Sequence, residues 1–194
     1  MRRRTEDGPV RVELNTPRAR VWSRLEQPDR FAKSMATTDN APPHVRARRL
    51  IDAGLHMTVA TVDSAGRPWV SPVFYSIDDE RQLYWVSDKD ALHSGNVRDR
   101  QDVAIVIHDS VTGVVDAVYI RATAAELKEE AEVRHGMDVM ARREQAEKWR
   151  IEDVSEVTGD GPWRIYKAVR KKTEVRVERA KGGRTVVGRE DADF

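Results

Sequence analysis

The stretch "WVSDKDALHSGNVRD", Trp85 to Asp99, gathers residue types that hold anions or move protons. Ser87, His93, Ser94 and Asn96 offer hydroxyl, imidazole and amide groups, Lys89 adds a cation, and Asp88 and Asp90 add carboxylates. Four chemistries are open to such a set: a phosphate cradle, a catalytic site, a metal site, or a solvated polar loop. A phosphate beside His93 would favour the imidazolium and raise its pKa from an unperturbed ~6.5. A helix starting just before the histidine would add its dipole to the same end. Asp88 and Asp90 pull the other way, because they could cap that helix themselves and would repel a phosphate.

The rest of the chain narrows the choice. There are no cysteines, which removes thiolate nucleophiles, disulfides and Cys-ligated metals. The histidines, at 44, 56, 93, 108 and 135, form no pair at helical i,i+4 spacing, so a metal site would need ligands drawn from distant segments. No GxxxxGK[ST], GxGxxG, GxSxG or HExxH pattern is present. Lys and Arg number 34 against 33 Asp and Glu, a balance that argues against nucleic acid as the main partner. "MRRR" is followed by "TEDGPVRVELN" where an export signal needs an apolar stretch. "VAIVI" (103–107) falls far short of the roughly 20 apolar residues of a membrane helix. The expectation is a cytoplasmic protein with no membrane partner. With 35% charged residues its core is modest, and pairing with a second copy would complete the burial.

Several elements must position the cluster. Residues 1–43 keep no helical or strand period and end at Pro42-Pro43, so they read as a flexible N-terminal extension to a domain over 44–194. "MATTDNAPP", from Met35, resembles a natural start, which sets residues 1–34 apart as an upstream extension or disordered tail. "HVRARRLIDAGLH" reads as a helix stopped by Gly54. "LHMTVATVD" (55–63) then places Leu55, Met57 and Val59 on one face at strand spacing. "SAGRP" turns the chain into "WVSPVFYSI" (69–77), and "DDER" turns it into "QLYWVS" (82–87). Strands follow at 103–109 and 117–127, then a helix over 129–149 with a break at Gly136. Late strand material lies at 163–178 and 184–188. Meander order with one short crossing helix predicts an antiparallel barrel or sandwich.

The ordered set "TVD", "GRP", "VSPVF", "LYWVS", "HSGN" and "VAIVI" resembles the pyridoxamine 5'-phosphate oxidase-like family of flavin-binding split β-barrels. The similarity runs from Val45 to Leu127, with an echo in "RIYKAV". It implies a mainly β (α+β) fold, a six-stranded antiparallel split β-barrel with short flanking helices. It further implies a homodimer with flavin mononucleotide (FMN) at the subunit interface and an oxidoreductase acting on a small-molecule substrate. The cofactor-binding residues carried over are Val70, Ser71, Pro72, Val73 and Phe74 along the flavin ring, and Trp85, Val86 and Ser87 on the next strand. His93, Ser94 and Asn96 would meet the phosphate, and Trp163 and Arg164 would reach the neighbouring subunit's flavin. Pro72 deletes a ladder donor, which suits either a strand edge or a planar ligand alongside. Trp69, Tyr84 and Trp85 could flank a ring or fill a core, and Arg121 could meet phosphate or solvent.

No catalytic side chain and no metal ligand is expected, since hydride chemistry belongs to the flavin. Vitamin B6 oxidases close with an Arg-x-His segment, whereas this chain ends "RAKGGRTVVGREDADF", so oxidation of pyridoxamine phosphate is not expected. Two rivals stand. One is the deazaflavin F420, whose polyglutamyl tail would suit the basic segments 46–49 and 170–172. The other is a non-catalytic flavin or haem carrier or sensor, with His56, His93 or His108 as axial ligand.

Overall fold

The computed structural model describes residues 41–108, 116–143 and 150–192, so most of the 1–43 extension lies outside the described residues. Helix α1 spans Pro43–Ala53, and the fixed φ of its leading proline suits the first turn. It buries Arg46, Ala47 and Ile51. Gly54 ends it as expected, but with extended φ, −70°, rather than in the left-handed region. The reason for glycine is crowding: a Cβ there would lie 2.9 Å from the Tyr75 hydroxyl and 3.0 Å from the Leu50 carbonyl oxygen.

Strands β1 (His56–Val62) and β2 (Pro68–Ile77) pair antiparallel from His56↔Phe74 to Val62↔Pro68. Their turn is held by Asp63, whose carboxylate accepts from the Arg67 backbone amide and guanidinium. Met57, Val59 and Thr61 face inward; Leu55, expected on that face, precedes the strand and is 52% exposed. β3 (Leu83–Asp88) leads into α2 (Leu92–Asp99), and β4 (Asp102–His108) and β5 (Ala117–Glu126) complete the meander. α3 covers Glu130–Ala141 without the expected break. Gly136 is buried inside it, where a Cβ would approach Leu127 Cδ1 to 2.9 Å and Ile165 Cγ2 to 3.0 Å. Residues 144–149 of the expected helix lie outside the described residues.

The late strand material forms two strands, β6 (Trp163–Lys181) and β7 (Arg184–Asp191), joined by Gly182-Gly183 with φ of +58° and +74°. The sheet order is β3-β2-β1-β4-β5-β6-β7, with β3 also pairing β6. Six strands therefore close into the expected ring, and a seventh, β7, extends it along the far half of β6. Strand alternation fills the ring with Met57, Val59, Tyr75, Trp85, Ile105 and Ile120 among others. A second apolar cluster beneath α3 joins Tyr84, Leu127, Val133, Val139 and Ile165. Among the described residues no helix is long and apolar enough to cross a membrane.

Candidate functional site

The ring has a split. β2 and β3 pair only from Tyr75↔Trp85 to Ile77↔Leu83. Beyond that point Pro68–Phe74 pair with β1 alone, and Val86–Asp88 pair with β6 alone. α2 begins just past the β3 lip. Val70–Phe74 thus line one lip and Trp85–Ser87 the other, with His93–Asn96 on the helix that follows. Trp163 and Arg164 stand opposite Asp88 and Ser87 in the β3–β6 register.

Alternation decides where these side chains go. Ser71 and Val73 are buried, while Val70 (59% exposed) and Pro72 face outward. The Trp69 indole N–H donates to Ser71 Oγ at 3.0 Å. Phe74, Val86 and Trp163 are half-buried against the cluster beneath α3. Trp85 is fully buried and stacks on Tyr166, with centroids 5.2 Å apart and planes 16° from parallel. Its indole Nε1 has no hydrogen-bond partner among the described residues. Burial raises the Tyr166 phenol's pKa above its ordinary value.

The α2 side chains divide into two roles. Ser94 Oγ donates to the Asp88 carbonyl at 2.7 Å, and Asn96 Nδ2 donates to Thr61 Oγ1 at 3.0 Å. Both residues are buried, so these two groups fasten α2 to β3 and β1. Ser87 and His93 instead face each other, with Oγ and Nε2 2.8 Å apart; the ring tautomer sets which atom donates. Burial holds the His93 pKa below its ordinary value, because removing water disfavours the charged ring.

Charge around this point is largely committed. Asp88 accepts from the Asp90 amide at 2.8 Å, not from a helical N–H, and Ala91 leaves α2 without a side-chain cap. Arg164 donates to the carbonyls of Gly159, Gly161 and Trp163 and lies 3.3 Å from Glu126, which also meets Arg98 at 3.4 Å. Thr61, Glu126 and Tyr166 escape a search for reactive residue types. Inward alternation along "RIYKAV" is the signal that would have found Tyr166. Among the described residues no group of three His, Cys, Asp or Glu side chains is placed to hold a metal ion.

The outer face beside the split is nearly free of charge. Rows Pro72–Thr58–Val106 and Val70–Ala60–Ala104 lie side by side across β2, β1 and β4, all exposed or half-buried. In a chain with 35% charged residues such a face is unusual.

A family model described as pyridoxamine 5'-phosphate oxidase matches residues 34–179. No curated protein matches the sequence. Solved structures share the fold at low identity. A candidate 5-nitroimidazole antibiotic resistance protein from Bacteroides thetaiotaomicron is 16% identical, covering 72% of this chain and 84% of its own, with TM-score 0.52. A candidate pyridoxamine 5'-phosphate oxidase from Listeria innocua is 15% identical over 68% of this chain and 96% of its own, TM-score 0.52. The haem storage protein HutZ from Vibrio cholerae is 15% identical over 68% and 92%, TM-score 0.54.

Proposed function

The chain belongs to the pyridoxamine 5'-phosphate oxidase family, and on that premise we propose that it is a dimeric FMN-binding oxidoreductase. The observation that carries this reading is the split, where a half-strand paired on one side only and an uncapped helix start meet beside the Ser87–His93 pair. The residues fit the cofactor. Backbone and side chains of Val70–Phe74 offer an edge for a planar ring, and His93 with the first-turn amides of α2 would meet a phosphate. Bound flavin would supply hydride transfer at N5 to or from a small molecule, while the protein orients both partners. Ser94 and Asn96 then act by seating the helix rather than as ligands. The uncharged face on β2, β1 and β4 supports a second copy as the partner that closes the site, since its exposed Val70 and Pro72 continue the β2 lip.

Half of the cations in the basic segments are already committed to carboxylates, which supports a mononucleotide over the polyanionic tail of F420. Arg46 is buried against Asp116 at 2.7 Å, Lys171 meets Asp102 at 2.7 Å, and Lys172 meets Glu174 and Asp191. The test is a visible spectrum of the purified protein and the mass of what heat releases. Flavin absorption with FMN mass supports the reading. A Soret band or a deazaflavin mass replaces it with the haem or F420 alternative. Enzyme and carrier separate on turnover: reduced cofactor that no candidate acceptor reoxidises catalytically points to a carrier.

A further inference from the structure

Two observations at the split go beyond cofactor choice. The His93 ring already has a partner, Ser87 Oγ at 2.8 Å, on a strand lip whose other edge carries no ladder to β2. The ring is half-buried, and Ser87 is 7% exposed. We propose that Ser87 and His93 form a proton-linked latch, in which the free protein holds a neutral imidazole on the Ser87 hydroxyl and a phosphate dianion binds together with one proton taken from solvent onto that ring. This rests on the FMN reading and names the ionisation state of the group the site takes.

Without an anion, a charged ring here would lose hydration with only the neutral Ser87 hydroxyl to meet it, and burial lowers its pKa. Charged and titratable groups on the segments around the latch include Asp88 of β3, Lys89 and Asp90 of the loop, Arg98 and Asp99 of α2, Glu126 of β5, Asp160 of the loop before β6, and Arg164 and Tyr166 of β6. Asp88 is bonded to the Asp90 amide, Lys89 to the Asp160 carbonyl, and Arg98 and Arg164 share Glu126. Burial is the cause of the ring's shift. A dianion beside the ring reverses the balance, because an opposite charge within hydrogen-bond distance favours the imidazolium. The proton moves from buffer to the ring nitrogen, and no other bond changes.

Linkage makes this measurable. Where one proton enters with the ligand, affinity falls by up to about tenfold per pH unit between the free and bound pKa values. The ligand's own second ionisation, near pH 6, acts in the opposite sense and is read from a variant lacking the imidazole. The experiment is calorimetric titration of FMN into the full chain at pH 7.0, in two buffers of different ionisation enthalpy. Expected is uptake approaching one proton per FMN, none with riboflavin, and near zero with His93→Gln alongside weaker FMN binding. FMN binding without proton uptake overturns the latch and leaves the FMN reading standing, as does equal uptake with riboflavin or undiminished uptake in His93→Gln. Absence of FMN binding overturns both.

Discussion

Replacing Asn96 by Ala tests whether the "HSGN" helix is read correctly. Asn96 is 3% exposed, and its amide donates to Thr61 Oγ1 at 3.0 Å inside the ring. Removing it strands the Thr61 hydroxyl in a buried setting, which costs about 1–3 kcal/mol. For a chain of this length each kcal/mol lowers Tm by about 2–4 °C, so a loss near 2 kcal/mol lowers it by about 4–8 °C. Thr61→Val removes the other partner, and the double variant should be less destabilised than the sum of the singles. A coupling energy of about 1 kcal/mol is expected. Thermal and denaturant unfolding of the four proteins measures it. FMN affinity, taken well below the transition, should fall far less for Asn96→Ala than for His93→Gln. Strictly additive stabilities, or an affinity loss in Asn96→Ala equal to that in His93→Gln, would refute the assignment of Asn96 as a fastener and restore it as a ligand.

Three further outcomes follow from the geometry. Gly136→Ala puts a Cβ within 3.0 Å of both Leu127 and Ile165 side-chain carbons, a crowding cost of about 1–3 kcal/mol set against about 1 kcal/mol of regained helix propensity, and the net should read as a modestly lower denaturant midpoint. Ala60→Glu places a carboxylate in the middle of the nearly uncharged outer face; sedimentation should show the proposed dimer shifting towards monomer, and an unchanged assembly would move the interface elsewhere. His93 has a folded pKa below its unfolded ~6.5, so the unfolded chain binds more protons in that window. Stability should therefore fall as pH drops through about 6.5, and unfolding midpoints of wild type minus His93→Gln should show that slope and no reverse one.

The strands were legible because their alternation is strong. Met57, Val59 and Thr61 in "LHMTVATVD" and Ser71, Val73 and Tyr75 in "WVSPVFYSI" alternate inward, and the ladder His56↔Phe74 to Val62↔Pro68 follows from the short turn between them. β7 was legible only as strand material, since "RTVVG" has no core face to give it a period; its exposed residues depend on β6 for partners. Gly136 looked like a helix break because glycine lowers helix propensity. Its packing against Leu127 before the helix and Ile165 on β6 comes from outside the helix, and the helix's own pattern does not record it.

The site was legible in type but not in direction. Ser87, His93, Ser94 and Asn96 have the groups an anion needs, yet the same groups are what a short helix needs to seat itself on a ring. Which use prevails depends on rotation about the α2 axis: Ser94 and Asn96 turn towards Asp88 and Thr61, and His93 turns to Ser87. That rotation follows from where the β2–β3 ladder stops, at Tyr75↔Trp85, because the split leaves room at the end of β3 for the helix to begin. A ladder running one pair further would bring Phe74 opposite Val86 and narrow the opening beside His93. The chemistry of the cluster therefore depends on a ladder end eight residues before the histidine, and the cluster's own residues do not separate ligand from fastener.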